Sequence, residues 1–173
     1  MQKKTKLINK IFASTLLGLA LASPSQPMAQ SQERSTFLLR LNCVDRGMGN
    51  WAYRNEDVAV GKAVYTSILF MGPGDSTASL TCRLQPNDAN AIFQRLDLEF
   101  GMRDNDQRSP NVAVNVYLDG VQAASVPVSP GKPEMVSLDV TSTQNVTLEA
   151  ACSSKFQYCD RVYFWKAALV FAP

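Results

Sequence analysis

Alternation of apolar and polar residues dominates the chain and predicts β-strands. Leu96, Leu98 and Phe100 alternate with acidic residues, and the range Val112–Leu118 repeats the same period of two. This period is typical of strands with one buried face and one solvated face. The Asp119-Gly120 pair that follows supplies the positive φ angles that a tight hairpin turn needs. The pattern therefore predicts antiparallel strands joined by short turns.

Short stretches of the same kind recur along the chain, separated by Gly, Pro, Asn and Asp residues. The predicted strands are Phe37–Cys43, Val64–Met71, Ala78–Leu84, Ile92–Phe100, Val112–Leu118, Ala123–Val128, Met135–Val140, Asn145–Cys152 and Arg161–Phe171. Short strands with this punctuation are typical of an all-β fold, here an antiparallel two-sheet β-sandwich or jelly roll. Between the strands, the range Leu84–Leu96 has room for one helical turn.

The first residues predict a signal peptide over 1–22. A basic segment with four lysines precedes a short apolar core, Ile11–Ala22, and Ala20-Leu21-Ala22 is a small-x-small cleavage site. Cleavage as late as Ala29 and a retained N-terminal anchor are the alternatives. The apolar core is too short to span a membrane comfortably. We therefore expect a secreted or periplasmic protein with a polar lead-in over 23–35 and one β-sandwich domain over 36–173.

The charge of the chain argues against a nucleic-acid partner. The full sequence has 17 Lys and Arg against 15 Asp and Glu, a net charge of +2. Removal of the leader takes away four lysines and no acid, so the remaining chain is slightly acidic. Nucleic-acid binding calls for a basic patch on the folded domain, which the sequence does not predict.

Four cysteines, Cys43, Cys82, Cys152 and Cys159, follow the predicted cleavage site. An even number in an exported chain favours disulfides, although the sequence alone allows three pairings. We predict Cys152–Cys159 as a local link across one loop, and hence Cys43–Cys82. The alternative is a zinc site, which the C-x6-C spacing and the absence of histidine disfavour.

The order of several short motifs resembles the NPCBM family, the novel putative carbohydrate-binding module. The motifs are Gly49-Asn50-Trp51, Asn55-Glu56-Asp57-Val58, Ala78–Leu84, Phe93–Gly101, Val114–Gly120, Val136–Val140, Val146–Glu149, Cys159-Asp160-Arg161 and Trp165–Leu169. The resemblance implies a galactose-binding-like β-sandwich that often binds galactose-containing glycans. Members often carry one histidine in the turn matching Gly72–Asp75 and another after the aspartate matching Asp160, where this chain has Arg161.

Glycan binding calls for an aromatic ring against the sugar and planar polar groups for its hydroxyls. The aromatic candidates are Trp51, Tyr53, Tyr65, Tyr158, Tyr163 and Trp165. Trp51 follows a glycine-rich turn and is predicted to lie on a loop, whereas Trp165 lies in a predicted core strand, where packing is the alternative role. Asp160 and Arg161 follow a predicted disulfide and could bind hydroxyls, with an ordinary surface ion pair as the alternative.

Catalytic and metal-binding patterns are weak in this sequence. Without histidine, Ser-His-Asp and Cys-His mechanisms are excluded. Paired carboxylates such as Asp97 and Glu99 leave a small hydrolase as a distant alternative. The range Arg103–Arg108 carries oxygen ligands that could hold a structural calcium ion, with a solvated loop as the alternative. We expect no catalytic activity, with glycan or polysaccharide as partner, or alternatively an envelope protein bound by the same fold.

Overall fold

The computed structural model describes residues 33–85 and 92–172. Within them the chain forms strands β1 (Ser35–Phe37), β2 (Cys43–Gly47), β3 (Asn50–Val60), β4 (Ala63–Gly72), β5 (Thr77–Arg83), β6 (Phe93–Gly101), β7 (Val112–Leu118), β8 (Val121–Val128), β9 (Pro133–Asp139), β10 (Asn145–Cys152) and β11 (Val162–Phe171), with a 3-10 turn at Leu38–Arg40. No helix in this part of the chain has the length and apolar content needed to cross a membrane. The predicted signal peptide and most of the lead-in lie outside the described residues.

The strands pair into two antiparallel sheets. The first sheet has the order β3-β4-β11-β6-β9, with β1 paired to the second half of β11, and the second sheet has the order β2-β5-β10-β7-β8. The two sheets bury their facing sides against each other. The predicted antiparallel two-sheet β-sandwich is therefore confirmed.

The alternation of side chains explains the core. Leu148 of β10 pairs with Leu80 of β5 and with Val116 of β7, and all three side chains are fully buried. Complete burial of a leucine contributes about 1.5–3 kcal/mol to folding. The neighbouring residues Thr147 and Glu149 point away from the core because successive side chains of a strand alternate between its faces.

Both predicted disulfides are present. Cys43–Cys82 joins the adjacent strands β2 and β5, and Cys152–Cys159 closes the loop between β10 and β11. The predicted Asp119-Gly120 turn is also confirmed, since both residues have positive φ angles and connect β7 to β8.

Near the N-terminal end of the domain, one predicted strand is wrong and one strand was missed. The range Phe37–Cys43 is not one strand, because the chain leaves the first sheet at Phe37, turns over Leu38–Arg40 and enters the second sheet at Cys43. The strand Asn50–Val60 was not predicted. Its polar centre hides the alternation, and a bulge between Tyr53 and Glu56 changes which residues face inward. The predicted helical turn falls mainly on residues 86–91, outside the described part.

Residues 56–67 form a hairpin arm that crosses the outer face of the first sheet. Its turn residues Gly61 and Lys62 have positive φ angles, and their N–H groups donate to the Asp104 carboxylate at 2.7 and 3.0 Å. Asp104 N–H in turn donates to the Ala59 carbonyl. Under the arm lies a second small core made of Val58, Val60, Phe70 and Tyr163.

Candidate functional site

The structure separates the two tryptophans, Tyr53, Tyr65, Asp160 and Arg161 into three places. Trp51 and Tyr53 lie on the edge strand β3, Tyr65 and Trp165 lie on the outer face of the first sheet, and Asp160 and Arg161 lie immediately before β11. The three pairs therefore do not form one site, and each has to be considered by itself.

The Tyr65–Trp165 pair holds the hairpin arm against the sheet. The two rings stack with centroids 4.1 Å apart and planes 18° apart. The Trp165 Nε1–H donates to Glu99 Oε2 at 3.1 Å, which fixes the indole orientation. A Cβ added to Gly101 would lie 3.2 Å from the indole Cη2, so the indole also lies against the backbone of β6. With one ring face covered in this way, packing is the main role of this pair.

Trp51 lies in a strand and not on a loop, contrary to the prediction. It pairs with Met71 of β4 and packs half-buried against the main core. Tyr53 is 63% exposed, and its ring tilts against Phe37 at 5.7 Å. Together with the 3-10 turn, these rings line an open cavity of about 410 Å³.

Arg161 belongs to a row of alternating guanidinium and aromatic groups. Its guanidinium carbon lies 4.0 Å from the centroid of Phe70, whose ring tilts against Tyr163 at 6.4 Å. At the other end, the Arg103 guanidinium lies 5.2 Å from the centroid of Tyr163. Cations favour the faces of aromatic rings, so this row holds the Arg161 fork in place.

The two guanidinium groups of the row differ in their anionic partners. Arg103 forms an ion pair with the buried Asp106 at 3.0 Å. Within residues 33–85 and 92–172, Arg161 has no carboxylate within 4.0 Å, and the alternative of an Asp160–Arg161 ion pair is therefore wrong. The donor groups of Arg161 are not committed to a neighbouring acid.

Asp160 is held on a braced segment of backbone. Its N–H donates to Ser109 Oγ at 2.8 Å, and the N–H of the preceding Cys159 donates to the Gly74 carbonyl at 2.7 Å. Burial raises the pKa of the Asp160 carboxyl above its ordinary value, and the nearby Asp106 carboxylate raises it further. The positive charges of Arg103 and Arg161 oppose this rise only in part.

Asn50 and Tyr158 also lie near Arg161, and the sequence did not predict that they would be grouped with it. A Cβ added to Gly72 would lie 2.5 Å from Asn50 Oδ1 and 3.3 Å from Arg161 Cγ, so both side chains flank this glycine. A Cβ added to Gly74 would lie 3.4 Å from the ring of Tyr158, which is 65% exposed. The Gly-Pro-Gly turn was the available signal, because glycine permits such close approach.

We call this group the Arg161 site and define it as Asn50, Phe70, Tyr158, Asp160 and Arg161. Beside it lies the buried hydroxyl of Tyr163, which makes no hydrogen bond of standard geometry with the described residues but lies near the Arg161 guanidinium. Burial raises the pKa of Tyr163, and the positive charges of Arg103 and Arg161 oppose this rise in part. The Arg161 site thus combines a guanidinium fork, a carboxylate, an amide and an exposed ring.

The carboxylates of the range Arg103–Arg108, predicted as possible calcium ligands, already accept hydrogen bonds from other groups of the protein. Asp104 binds the hairpin arm and Asp106 binds Arg103. In the described part of the chain, no three His, Cys, Asp or Glu residues are grouped so that they could hold a metal ion. Calcium binding to this protein stays a prediction.

Comparison with known proteins finds similar structures. No protein-family profile matches the sequence, and no curated protein matches it either. The chain is similar to the CBM51-2 domain of Clostridium perfringens ZmpB, solved together with its INT domains, with a TM-score of 0.64 and 15% identity over 79% of this chain and 31% of that chain. A structure of the ZmpB domain in complex with GlcNAc gives a TM-score of 0.62.

Two other CBM51 structures have the same architecture. CBM51 from Clostridium perfringens GH95, in complex with methyl-galactose, gives a TM-score of 0.63 and 12% identity over 79% of this chain and 99% of that chain. The tandem CBM51 modules of Sp3GH98, a family 98 glycoside hydrolase from Streptococcus pneumoniae, give a TM-score of 0.61 and 13% identity over 80% of this chain and 47% of that chain. These likenesses agree with the two-sheet β-sandwich fold, whereas membership of the NPCBM family stays a prediction.

Proposed function

We propose that this protein is a non-catalytic, exported glycan-binding module and that the Arg161 site binds the sugar. The observation that carries the proposal is the guanidinium fork of Arg161, which is held on the ring of Phe70 and has no carboxylate partner in the described residues. A planar fork of fixed donors suits the adjacent hydroxyls of a sugar ring.

The other members of the site complement Arg161. Asp160 accepts hydrogen bonds from hydroxyls when it is ionised, and Asn50 both donates and accepts. The exposed ring of Tyr158 covers the apolar face of the sugar. Because the aromatic row and the Cys152–Cys159 disulfide already order these groups, binding loses less conformational entropy than it would on a flexible loop.

The fold supports the proposal that the protein is a glycan-binding module. Structures of the same architecture have been solved with methyl-galactose and with GlcNAc. Both are small neutral sugars, and one guanidinium, one carboxylate and one amide supply donors and acceptors for the hydroxyls of one sugar ring. We therefore propose neutral hexose units as ligands of the Arg161 site.

The distant alternative, a hydrolase that uses two carboxylates, is not favoured because both candidate acids are bound by neighbouring side chains. Asp97 accepts from Arg95 at 2.9 Å and from Ser137 at 2.8 Å. Glu99 accepts from Trp165 and from Lys166. Carboxylates engaged in this way by neighbouring side chains are poorly placed to serve as a general acid and a nucleophile.

Titration calorimetry of the oxidised protein with methyl-galactoside and N-acetylglucosamine, after a glycan array run with and without calcium, tests the proposal. We expect Arg161→Gln to weaken binding at least about tenfold, because a hydrogen bond to a charged group contributes about 1.5–3 kcal/mol. Tyr158→Ala should also weaken binding, and because Tyr158 is 65% exposed this substitution does not open a cavity in the core. Arg46→Gln, on β2 and outside the site, is the matched control.

A protein-interaction module is the second candidate, and the loop closed by Cys152–Cys159 favours it. Phe156 at the tip of this loop is 97% exposed, and Met48 in the turn before β3 is 85% exposed. Large exposed apolar side chains often mark contact surfaces. A blank glycan array from folded protein, together with capture of an envelope protein that Phe156→Ser abolishes, would replace the first proposal by this one.

A further inference from the structure

A second surface lies at the sandwich edge formed by β3 of the first sheet and β2 of the second sheet. Two open cavities of about 410 and 540 Å³ lie there, and a third of about 370 Å³ adjoins them where β5 ends and β10 begins. The first and second share Leu41 and Cys43 as lining residues, and the second and third share Arg83 and Asn145. We call this continuous surface the edge groove.

One end of the edge groove is aromatic. Phe37, Trp51 and Tyr53 line it, and Arg40 of the 3-10 turn lies beside them. The Trp51 ring is anchored in the main core, and Tyr53 is braced by its contact with Phe37. Rings that are fixed in this way, with an exposed side, provide stacking area at a low entropic cost.

The rest of the edge groove is polar. Arg83 and Asn145 are directly paired across β5 and β10, and each lines two of the cavities. Asn42 lies next to them, since its carbonyl accepts the Arg83 N–H at 3.0 Å. Gln144 and Gln85 continue the lining. Amide side chains in series offer both donors and acceptors, as a chain of hydroxyl groups requires.

Among the described residues that line the edge groove, the charged ones are Arg40 and Arg83. In the described residues neither guanidinium has a carboxylate within 4.0 Å. The adjoining acid, Asp119, already accepts the backbone N–H groups of Gln144 and Asn145. The two arginines are therefore open to anions from outside the protein.

We propose that the edge groove binds an acidic polysaccharide, with sugar rings stacked at the aromatic end and carboxylate or sulfate groups bound by Arg40 and Arg83. Guanidinium groups pair with such anions in a two-point geometry. An acidic peptide adding to the sheet edge would use backbone groups, whereas the lining here consists of rings, amides and guanidinium groups. This site is separate from the Arg161 site and extends the proposed function to a charged ligand.

Binding of polygalacturonate, dextran sulfate and neutral dextran to the oxidised protein tests this proposal, by affinity electrophoresis and calorimetry. We expect polygalacturonate or dextran sulfate to bind and dextran to bind at least about tenfold more weakly, with the difference reduced at high salt. The choice between the two anionic probes distinguishes carboxylate from sulfate recognition. The double variant Arg40→Gln/Arg83→Gln should lose this preference, and Tyr53→Ala should weaken binding of the same probe.

Three controls separate this outcome from others. Arg46→Gln, an exposed arginine of β2 outside the lining, should leave binding unchanged, and an equal loss in this variant would mean non-specific attraction and overturn the proposal. Arg161→Gln should keep the preference for the anionic probe over dextran while it weakens methyl-galactoside binding, so that failure of one site is not mistaken for failure of the other. Urea unfolding midpoints establish that each variant is folded. Equal binding of dextran, preference for an acidic peptide, or no binding by the folded protein would also overturn it.

Discussion

Arg161 gives its site a chemistry that differs from that of the histidine which the NPCBM resemblance implies at this position. A guanidinium stays charged at every accessible pH, whereas an imidazole loses its charge near neutrality. Stacking on Phe70 also gives the guanidinium a fixed plane. The donors of the site are therefore constant with pH, and its pH dependence rests on Asp160.

Replacement of Asp160 by asparagine should stabilise the protein at neutral pH. Burial and Asp106 raise the pKa of Asp160 in the folded state above the unfolded value of about 3.9. The contribution of Asp160 to the free energy of unfolding is therefore fully present below the unfolded pKa, where the carboxyl is protonated in both states. It is lost as the pH rises through the folded pKa. We expect urea unfolding of Asp160→Asn to show higher stability than wild type at pH 7 and a smaller difference at pH 3.

The opposite ordering at pH 7 would contradict this account of Asp160. Asp75→Asn removes one carboxylate from the neighbouring exposed turn and is the matched control for the loss of a negative charge. If Asp160 also accepts sugar hydroxyls, the same variant should bind the ligand of the Arg161 site more weakly. Stability and binding would then change in opposite directions, as is common where a strained group serves function.

The residue types of the site could be predicted from the sequence, but their grouping could not. Asp160 and Arg161 are adjacent in the chain, and the predicted disulfide beside them indicated a fixed loop. Asn50 flanks the same glycine as Arg161 only because β3 and β4 pair so that Asn50 lies opposite Gly72. No local pattern contains that register, since β3 itself was hidden by its polar centre and its bulge.

At the scale of elements, the hairpin arm is the feature that departs most from a simple sandwich. The sheets themselves follow from alternation, and β7 and β10 have the predicted bounds. The arm follows instead from the bulge in β3 and from Gly61 and Lys62, whose positive φ angles permit its tight turn. It provides a cover for Tyr163 and Trp165, aromatic residues that a strand with one solvated face would otherwise expose.

Asp104→Ala should detach the hairpin arm from the sheet. The carboxylate accepts both turn N–H groups, and hydrogen bonds to a charged group contribute more than neutral ones. We expect a loss of about 1–2 kcal/mol in the free energy of unfolding. Faster hydrogen exchange should be confined to residues 56–67, and Trp165 fluorescence should shift to the red as Tyr65 leaves the indole.

Asp45→Ala, on the exposed edge strand β2, is the control for this experiment and should change none of the three quantities. Unchanged exchange in residues 56–67 of Asp104→Ala would mean that Val58, Val60 and the Tyr65–Trp165 stack hold the arm without the carboxylate. A uniform rise in exchange over the whole domain would show that the arm and the sandwich unfold as one unit.

At the scale of the whole molecule, each disulfide lies beside one of the two proposed binding surfaces. Cys152–Cys159 closes the loop that carries Tyr158 and precedes Arg161, whereas Cys43 lines the edge groove and is linked to Cys82. The loops they close differ in length, with sequence separations of 7 and 39 residues. Removing them should therefore separate stability from binding.

Replacing Cys152 and Cys159 by serine should cost about 2.5 kcal/mol of stability, and replacing Cys43 and Cys82 about 4 kcal/mol, because the longer loop restricts the unfolded chain more. Sugar binding at the Arg161 site should weaken more in Cys152→Ser/Cys159→Ser than in Cys43→Ser/Cys82→Ser. Only the Cys152–Cys159 disulfide orders Tyr158 and Asp160 before the sugar binds. Urea unfolding and calorimetry on both double variants measure the two quantities. Equal loss of sugar binding in both variants would mean that the sites are coupled through the core. An unchanged affinity in Cys152→Ser/Cys159→Ser would mean that the backbone hydrogen bonds donated by Cys159 and Asp160 suffice to hold the loop.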